Sequence, residues 1–150
     1  LDIKQTAPDV EPYEDLVAEL LREFDRRDDV IVASFSDAAT DAFSLVAPEF
    51  ATSYGVNATA QFWQAVHDGV TPPPTRHVAL QVPATYDEVV VVDARFVAVA
   101  HEQGLAVHVW TIDDPDDMAR LIDLGVDGIM TDRPAALDAV LRTKKAGWRP

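Results

Sequence analysis

The chain has 150 residues, 48% of them apolar and 25% charged, which is the balance of one globular domain with one core and not that of a disordered segment. Acidic residues outnumber basic ones 26 to 12, and the resulting net charge of −14 repels phosphate backbones and anionic lipid surfaces, which argues against nucleic acid as a partner. The absence of cysteine excludes disulfides, thiolate zinc sites and cysteine nucleophiles together, so any metal must be held by oxygen or imidazole.

Leu1 to Lys4 reads as a strand, followed by Thr6-Ala7-Pro8. The chain has no initiator Met and opens inside that strand, so we expect polypeptide to precede it. The opening residues do not form a basic region followed by an apolar stretch, and no apolar run approaches the roughly 20 residues that span a bilayer. These features lead us to expect a soluble protein without a transmembrane segment; the compartment stays open, with the cytoplasm as the default expectation. A helix is predicted from Pro12 to Arg26, with Leu16, Leu20 and Phe24 recurring at i, i+4 and i+8 and with Val17 and Leu21 on the same stripe. Val30 to Phe35 is the second strand. Ser36 or Asp37 then caps a helix that buries Ala39, Phe43 and Val46 until Pro48 stops it. Another helix covers Ala58 to Asp68 and ends at Gly69.

The stretch Thr71-Pro72-Pro73-Pro74-Thr75 is too stiff and too poor in donors for a helix or a central strand, so it reads as a loop into the strand His77 to Val82. A loop from Pro83 to Glu88 leads to a short extra strand, Val89 to Val92. Asp93 caps the next helix, which Gly104 closes after Gln103. Leu105 to Thr111 is a strand. Asp114 and Pro115 start a helix that Gly125 ends, Val126 to Thr131 is the last main strand, and the helix from Pro134 turns Leu137, Val140 and Leu141 inward.

Short β-branched runs alternating with helical periods are the pattern of βα units on a parallel sheet. Five such strands fit either an open doubly wound sheet or part of a barrel. An open sheet would start with a complete strand and a ligand-binding, often glycine-rich first turn, which this chain lacks. The expected fold is therefore α/β: a partial TIM barrel made of the C-terminal five βα units of a (β/α)₈ barrel, strands four to eight with their helices, in a single domain over residues 1–150. The N-terminal strands are absent from it. Two open strand edges would follow, which two copies could cover by pairing as a homo-oligomer.

In such barrels the site lies where each apolar run gives way to polar residues, at the C-terminal ends of the strands. Asp2 and Lys4 lie two apart on a strand, so both project to one face while Ile3 turns to the helices. A carboxylate beside an ammonium there suits a metal ion with an anionic substrate, or it is a buried ion pair. Trp110 ends a strand whose alternation places Ala106 and His108 on its own face; it either walls a substrate cleft or packs in the core. His108 reads as a core histidine, and His101 as structural near a helix end. His67 closes a helix and His77 starts a strand, neither with a partner evident in the sequence. The run Asp113, Asp114, Asp116, Asp117 lacks the glycine and distal glutamate of a calcium loop and reads as helix capping.

The run Val107-His108-Val109-Trp110-Thr111-Ile112, then Met118, then Leu124-Gly125-Val126-Asp127-Gly128-Ile129-Met130-Thr131-Asp132 with Pro134, resembles the C-terminal signature of glycerophosphodiester phosphodiesterases. Ala100-His101 with Gly104, Ser34-Phe35-Ser36 with Ala47-Pro48-Glu49, and Leu80-Gln81-Val82-Pro83 are similar as well. Asp2-Ile3-Lys4 resembles the family's Glu-x-Lys on strand four, with Asp in place of Glu.

The resemblance implies metal-dependent hydrolysis of a small phosphodiester to glycerol phosphate and an alcohol, with Ca²⁺ or Mg²⁺ as cofactor and two histidines moving protons. It implies Asp2 as a metal ligand, Lys4 as the cation that neutralises phosphate charge, and Trp110, with Phe35 and Gln81, as lining of the cleft. Asp is one methylene shorter than Glu, so ligation by Asp2 needs a shifted metal or a bridging water. The family's His-Arg-Gly run, its Glu-x-Asp metal pair and its second histidine have no counterpart here, and none of the four histidines sits in those motifs. The expectation is a chain that holds part of the active site and is inactive alone. The competing readings are a non-catalytic barrel relative that binds or scaffolds, and a phospholipase D-like enzyme of the same superfamily.

Overall fold

The computed structural model describes residues 1–4 and 10–146, which divide into two units, Leu1–Ala79 and Leu80–Pro150. The Thr6-Ala7-Pro8 segment lies outside the described residues.

In the first unit, Asp2 bridges Ala33 in parallel; the Ile3 N–H donates to the Ala33 carbonyl at 2.7 Å and the Ala33 N–H to the Leu1 carbonyl at 2.7 Å. Next come α1 (Glu14–Glu23), β1 (Ile31–Val32), α2 (Asp37–Val46), β2 (Ala51–Thr52) and α3 (Val56–Asp68). β1 and β2 pair in parallel, Ile31 with Ala51 and Val32 with Thr52, and Ser53 bridges Ala79 in the same sense. Ile3, Ala18, Leu21, Val32, Ala39, Phe43, Ala47 and Phe50 close into one apolar cluster, with Tyr13, Val17, Val30 and Val46 packed against it.

Of the stripe predicted on α1, the Val17 and Leu21 side faces the core and the Leu16, Leu20 and Phe24 side does not. Leu16, Leu20 and Phe24 are 57%, 45% and 62% exposed, while Ala18 and Leu21 are buried. The buried face is centred near Val17, Ala18 and Leu21, because small Ala18 lets the helix approach the core closely; periodicity locates a stripe but not its centre.

β2 is a strand that the sequence reading lacks. Its neighbourhood, Ala51-Thr52-Ser53-Tyr54, has no Val, Ile or Leu, yet Thr52, Ser53 and Tyr54 are buried. Burial of the hydroxyls is tolerated because each is bonded: Thr52 Oγ1 lies 2.9 Å from His77 Nδ1, and Ser53 Oγ donates to the Tyr54 carbonyl at 3.5 Å.

The division between the units falls after Ala79, at the first residue of β3 (Ala79–Pro83). The second unit continues with β4 (Thr85–Tyr86), β5 (Val89–Val90), α4 (Ala94–Glu102), β6 (Ala106–Trp110), α5 (Pro115–Leu124), β7 (Gly128–Ile129) and α6 (Pro134–Lys144). β3, β6 and β7 form a sheet in that order; β6 and β7 run parallel, with His108 opposite Gly128 and Val109 opposite Ile129. The extra strand predicted at Val89–Val92 is half of an antiparallel hairpin with β4, and Val91 and Val92 lie buried beyond it. Asp93 and Asp114 cap α4 and α5 as predicted: Asp93 Oδ1 accepts from the Phe96 N–H at 2.7 Å, and Asp114 Oδ1 from the Asp116 N–H at 2.9 Å. Gly69 and Gly125 close α3 and α5 in the left-handed conformation. On α6 the inward residues Leu137, Val140 and Leu141 are only half-buried.

Among the described residues, and besides the β4–β5 hairpin, the extended segments are Asp2, β1, β2, β3, β6 and β7, one more than the five main strands expected. Among the described residues no helix is long and apolar enough to cross a membrane.

Candidate functional site

In the first unit, strand alternation sends Ile3 into the apolar cluster and leaves Asp2 and Lys4 outside it. Lys4 Nζ stands 2.6 Å from Asp2 Oδ2, with the two side chains 75% and 37% exposed. A buried ion pair, the alternative open from sequence, is therefore not what forms. An exposed pair contributes about 0–1 kcal/mol, so stability is a weak reason to hold these charges together. Lys4 Nζ also lies 5.5 Å from the centre of the Phe35 ring, within cation–π range, and Phe35 is 60% exposed. Asp2, Lys4 and Phe35 are thus brought together.

Buried Ser34 holds this strand end. Its Oγ donates to the Ile3 carbonyl at 2.7 Å and accepts from the Ser36 N–H at 3.1 Å. Sequence reasoning passed over this role; the signal was a lone hydroxyl at the end of an otherwise apolar strand. Asp37, one residue further, caps α3 and not its own helix: its Oδ2 and Oδ1 accept from the Asn57 and Ala58 N–H groups at 2.9 and 3.0 Å.

In the second unit, Gln81 on β3, with His108 and Trp110 on β6, takes the half-buried positions, while Leu80, Val82, Val107 and Val109 between them are buried. Gln81 Nε2 lies 3.4 Å from His108 Nδ1. Burial pushes the His108 imidazole below its ordinary range, and the nearby Asp127 carboxylate opposes that shift. Gly128 leaves room for the ring: a Cβ there would stand 2.8 Å from His108 Cδ2. Asp127 Oδ2 accepts from the Val107 N–H at 2.8 Å and lies 2.9 Å from His101 Nε2, so His101 pairs with a carboxylate.

The aspartate run after β6 divides its work. Asp114 caps α5, and Asp117 pairs with Arg120. Asp113 Oδ1 accepts from Thr131 Oγ1 and from the Asp132 N–H, both at 2.8 Å, which fixes the loop after β7. The remaining histidines have partners that the sequence did not reveal. His67 Nδ1 lies 2.9 Å from the Trp63 carbonyl oxygen and the ring stacks on Trp63; His77, besides Thr52, has its ring centre 4.9 Å from that of Tyr54.

Among the described residues no three His, Cys, Asp or Glu side chains gather as a metal site. Ca²⁺ takes about six to eight oxygen ligands and Mg²⁺ demands near-octahedral geometry. Asp2, already paired with Lys4, does not by itself fit either ion. Among the described residues of the first unit, a cavity of about 160 Å³ lies beside Tyr54, Phe62, Pro74 and His77 and another of about 260 Å³ beside Arg22, Asp25, Glu49 and Phe50; neither of these is lined by Asp2, Lys4 or Phe35.

The sequence matches the Glycerophosphoryl diester phosphodiesterase family over residues 1–136. It is 44% identical over 62 residues, 41% of this chain and 24% of the relative, to a probable glycerophosphodiester phosphodiesterase 2 of Mycobacterium tuberculosis. An uncharacterized protein of Bacillus subtilis, YqiK, is 27% identical over 146 residues, 96% of this chain and 56% of the relative. Among solved structures, a putative glycerophosphoryl diester phosphodiesterase from Silicibacter pomeroyi superposes with a TM-score of 0.71 at 21% identity, covering 97% of this chain and 51% of that one. An Oleispira antarctica phosphodiesterase in complex with the product sn-glycerol-3-phosphate superposes with a TM-score of 0.60 at 20% identity, covering 87% of this chain and 51% of that one. At these identities the structures show a shared fold. The chain spans about half the length of these solved relatives or less than two thirds of the curated ones.

Proposed function

The chain belongs to the glycerophosphoryl diester phosphodiesterase family, and from that premise we propose that it serves the hydrolysis of glycerophosphodiesters to glycerol phosphate and an alcohol. The observation that carries this reading is the family match over residues 1–136, and the paired charges of Asp2 and Lys4 support it as groups suited to a metal ion and an anionic substrate. We read the parallel strands as the C-terminal part of a (β/α)₈ barrel.

On this reading Lys4 supplies fixed positive charge to the diester phosphate, and this charge gains most where phosphate charge develops. Phe35, 5.5 Å from that ammonium, orients it. In the second unit, Trp110 and Gln81 are proposed as substrate-facing residues, Trp110 with a flat apolar face and Gln81 with an amide. Asp2 is proposed as one ligand of a divalent Ca²⁺ or Mg²⁺ ion. That ion would need further oxygen ligands from other polypeptide, so the work proposed for the described residues is charge placement and cleft shape. They hold part of the active site.

The test is release of glycerol phosphate from a panel of glycerophosphodiesters, with and without added Ca²⁺ or Mg²⁺. The 150-residue chain is expected to show no turnover, and the complete natural protein metal-dependent turnover. Turnover by the short chain would overturn the partial-site reading, and a silent complete protein would overturn the hydrolase. The lack, among the described residues, of a cluster of three metal-ligating side chains favours, as a second reading, a relative that binds diesters without cleaving them; saturable binding by a silent complete protein would establish it.

A further inference from the structure

Gln81 and His108 lie on adjacent strands of one sheet, at positions flanked by buried residues that pack the opposite face. Gln81 Nε2 approaches His108 Nδ1 at 3.4 Å. With the amide nitrogen turned to the ring as placed here, Nδ1 is the acceptor, and the single proton of the neutral imidazole is then on Nε2. The ring cannot retreat toward β7, where the missing side chain of Gly128 leaves just enough room for it: a Cβ would come within 2.8 Å of Cδ2 and 3.3 Å of Cγ. One contact on the ring and one bond at its edge therefore fix the imidazole. The same bond fixes the amide. With one N–H committed to Nδ1, Gln81 has Oε1 available, and among the described residues its side chain makes no other hydrogen bond.

We propose that His108 is a positioning residue that orients the Gln81 amide so that Oε1 accepts a hydrogen bond from a hydroxyl of the diester's alcohol moiety. This inference rests on the proposed diesterase reading. It makes Gln81 a selector for hydroxyl-bearing substrates and gives the selector a defined failure mode. A protonated His108 carries Nδ1–H and needs an acceptor; the amide must turn over, Oε1 is consumed, and only donors remain for the substrate. Burial keeps the imidazole neutral to lower pH than usual. The charged group acting on it is Asp127, at the entrance to β7, while β3 and β7 face the ring with neutral Gln81 and Gly128.

Two arms test it. In the first, the histidine tautomer and the Gln81 side-chain amide are followed by NMR on the 150-residue chain from about pH 8 to about pH 5, around the ordinary histidine range. The expected result is the Nε2–H tautomer at the upper end, with Gln81 amide resonances moving in step with the His108 ring. Gln81→Glu should switch the ring to the Nδ1–H tautomer and raise its titration; Gln81→Leu should uncouple the two. An Nδ1–H tautomer in the wild type, or a Gln81 amide indifferent to ring titration, overturns the proposal. In the second arm, the complete enzyme is assayed with a diester bearing free hydroxyls and with its deoxy analogue. Gln81→Leu should raise KM for the hydroxylated diester about tenfold more than for the deoxy analogue, the value of one hydrogen bond. Equal effects on both substrates reduce Gln81 and His108 to packing and overturn the proposal. If no diester is cleaved, the diesterase reading falls, and the NMR arm still decides the geometry of the pair.

Discussion

Adding a single methyl group at Gly128 tests the arrangement of the second unit most sharply. Gly128 does not have positive φ, so Ala is allowed by the backbone. What opposes it is His108: the new Cβ would stand 2.8 Å from the ring, which must give way by about 0.6 Å to reach the 3.4 Å of ordinary contact. Overpacking of this kind costs about 1–3 kcal/mol. Replacing Gly by Ala restricts the unfolded chain and returns about 0.5–1 kcal/mol. Gly128→Ala should therefore destabilise by up to about 2.5 kcal/mol, read as a lower midpoint in urea unfolding at constant slope. With His108→Ala as background the obstacle is gone, and the same substitution should become neutral or stabilise by up to about 1 kcal/mol. An equal loss in both backgrounds would show that the ring does not sit over Gly128 and would sink the reasoning.

Leu20→Lys should change unfolding free energy by no more than about 0.5 kcal/mol, because Leu20 is exposed, whereas Leu21→Ala should cost about 2–5 kcal/mol; the reverse order would restore the stripe that periodicity alone suggests. His77 and His108 both have imidazoles held below the ordinary range, chiefly by burial, so below about pH 6.5 the unfolded chain takes up protons that the folded chain refuses. Stability should fall as pH drops through that value and level off below the folded pKa values. A chain carrying His77→Gln and His108→Gln should have a shallower fall than wild type in paired urea titrations, and superimposable curves would refute the assignment. Asp113→Ala should cost about 1–3 kcal/mol and speed amide exchange at Asp132, since it removes the acceptor for both the Thr131 hydroxyl and the Asp132 N–H; unchanged exchange there would count against the staple.

How legible a segment was depended on what held it. Caps written by local chemistry, such as Asp93, Asp114, Gly69 and Gly125, were readable because each acts within a few residues of itself. β2 was not, because burial of its Thr52 hydroxyl makes sense only with His77, 25 residues away. The alternation Asp2-Ile3-Lys4 correctly separated the two charges from the core residue between them, yet it could not say whether the pair was buried, which depends on the surroundings. The partners of His101 and of Asp113 lie 26 and 18 residues away, so the sequence showed the groups without the bonds.

Within the block that carries the family resemblance, which runs from Trp110-Thr111 to Gly125-Val126-Asp127-Gly128-Ile129, the later residues and those just after them are tied to their neighbours in the fold. Gly125 supplies the left-handed residue that ends α5, where a side chain would be strained. Asp127 ties the start of β6 to the end of α4 through the Val107 N–H and His101. Gly128 yields its space to the His108 ring, and Thr131 with the Asp132 N–H converges on Asp113. Each position is restricted by a backbone angle, a contact below 3 Å or a bond with little slack, so few alternatives fit. The residues proposed to meet the diester are held more loosely: Lys4 is mostly exposed, and Asp2 pairs with it at the surface. A substrate-facing position must satisfy a partner that comes and goes, whereas a strand-end staple must satisfy its neighbours at all times. A sequence can therefore declare its family through the staples while its chemistry stands or falls on a few exposed side chains, and for this chain Lys4 and the Gln81–His108 pair are the ones to test.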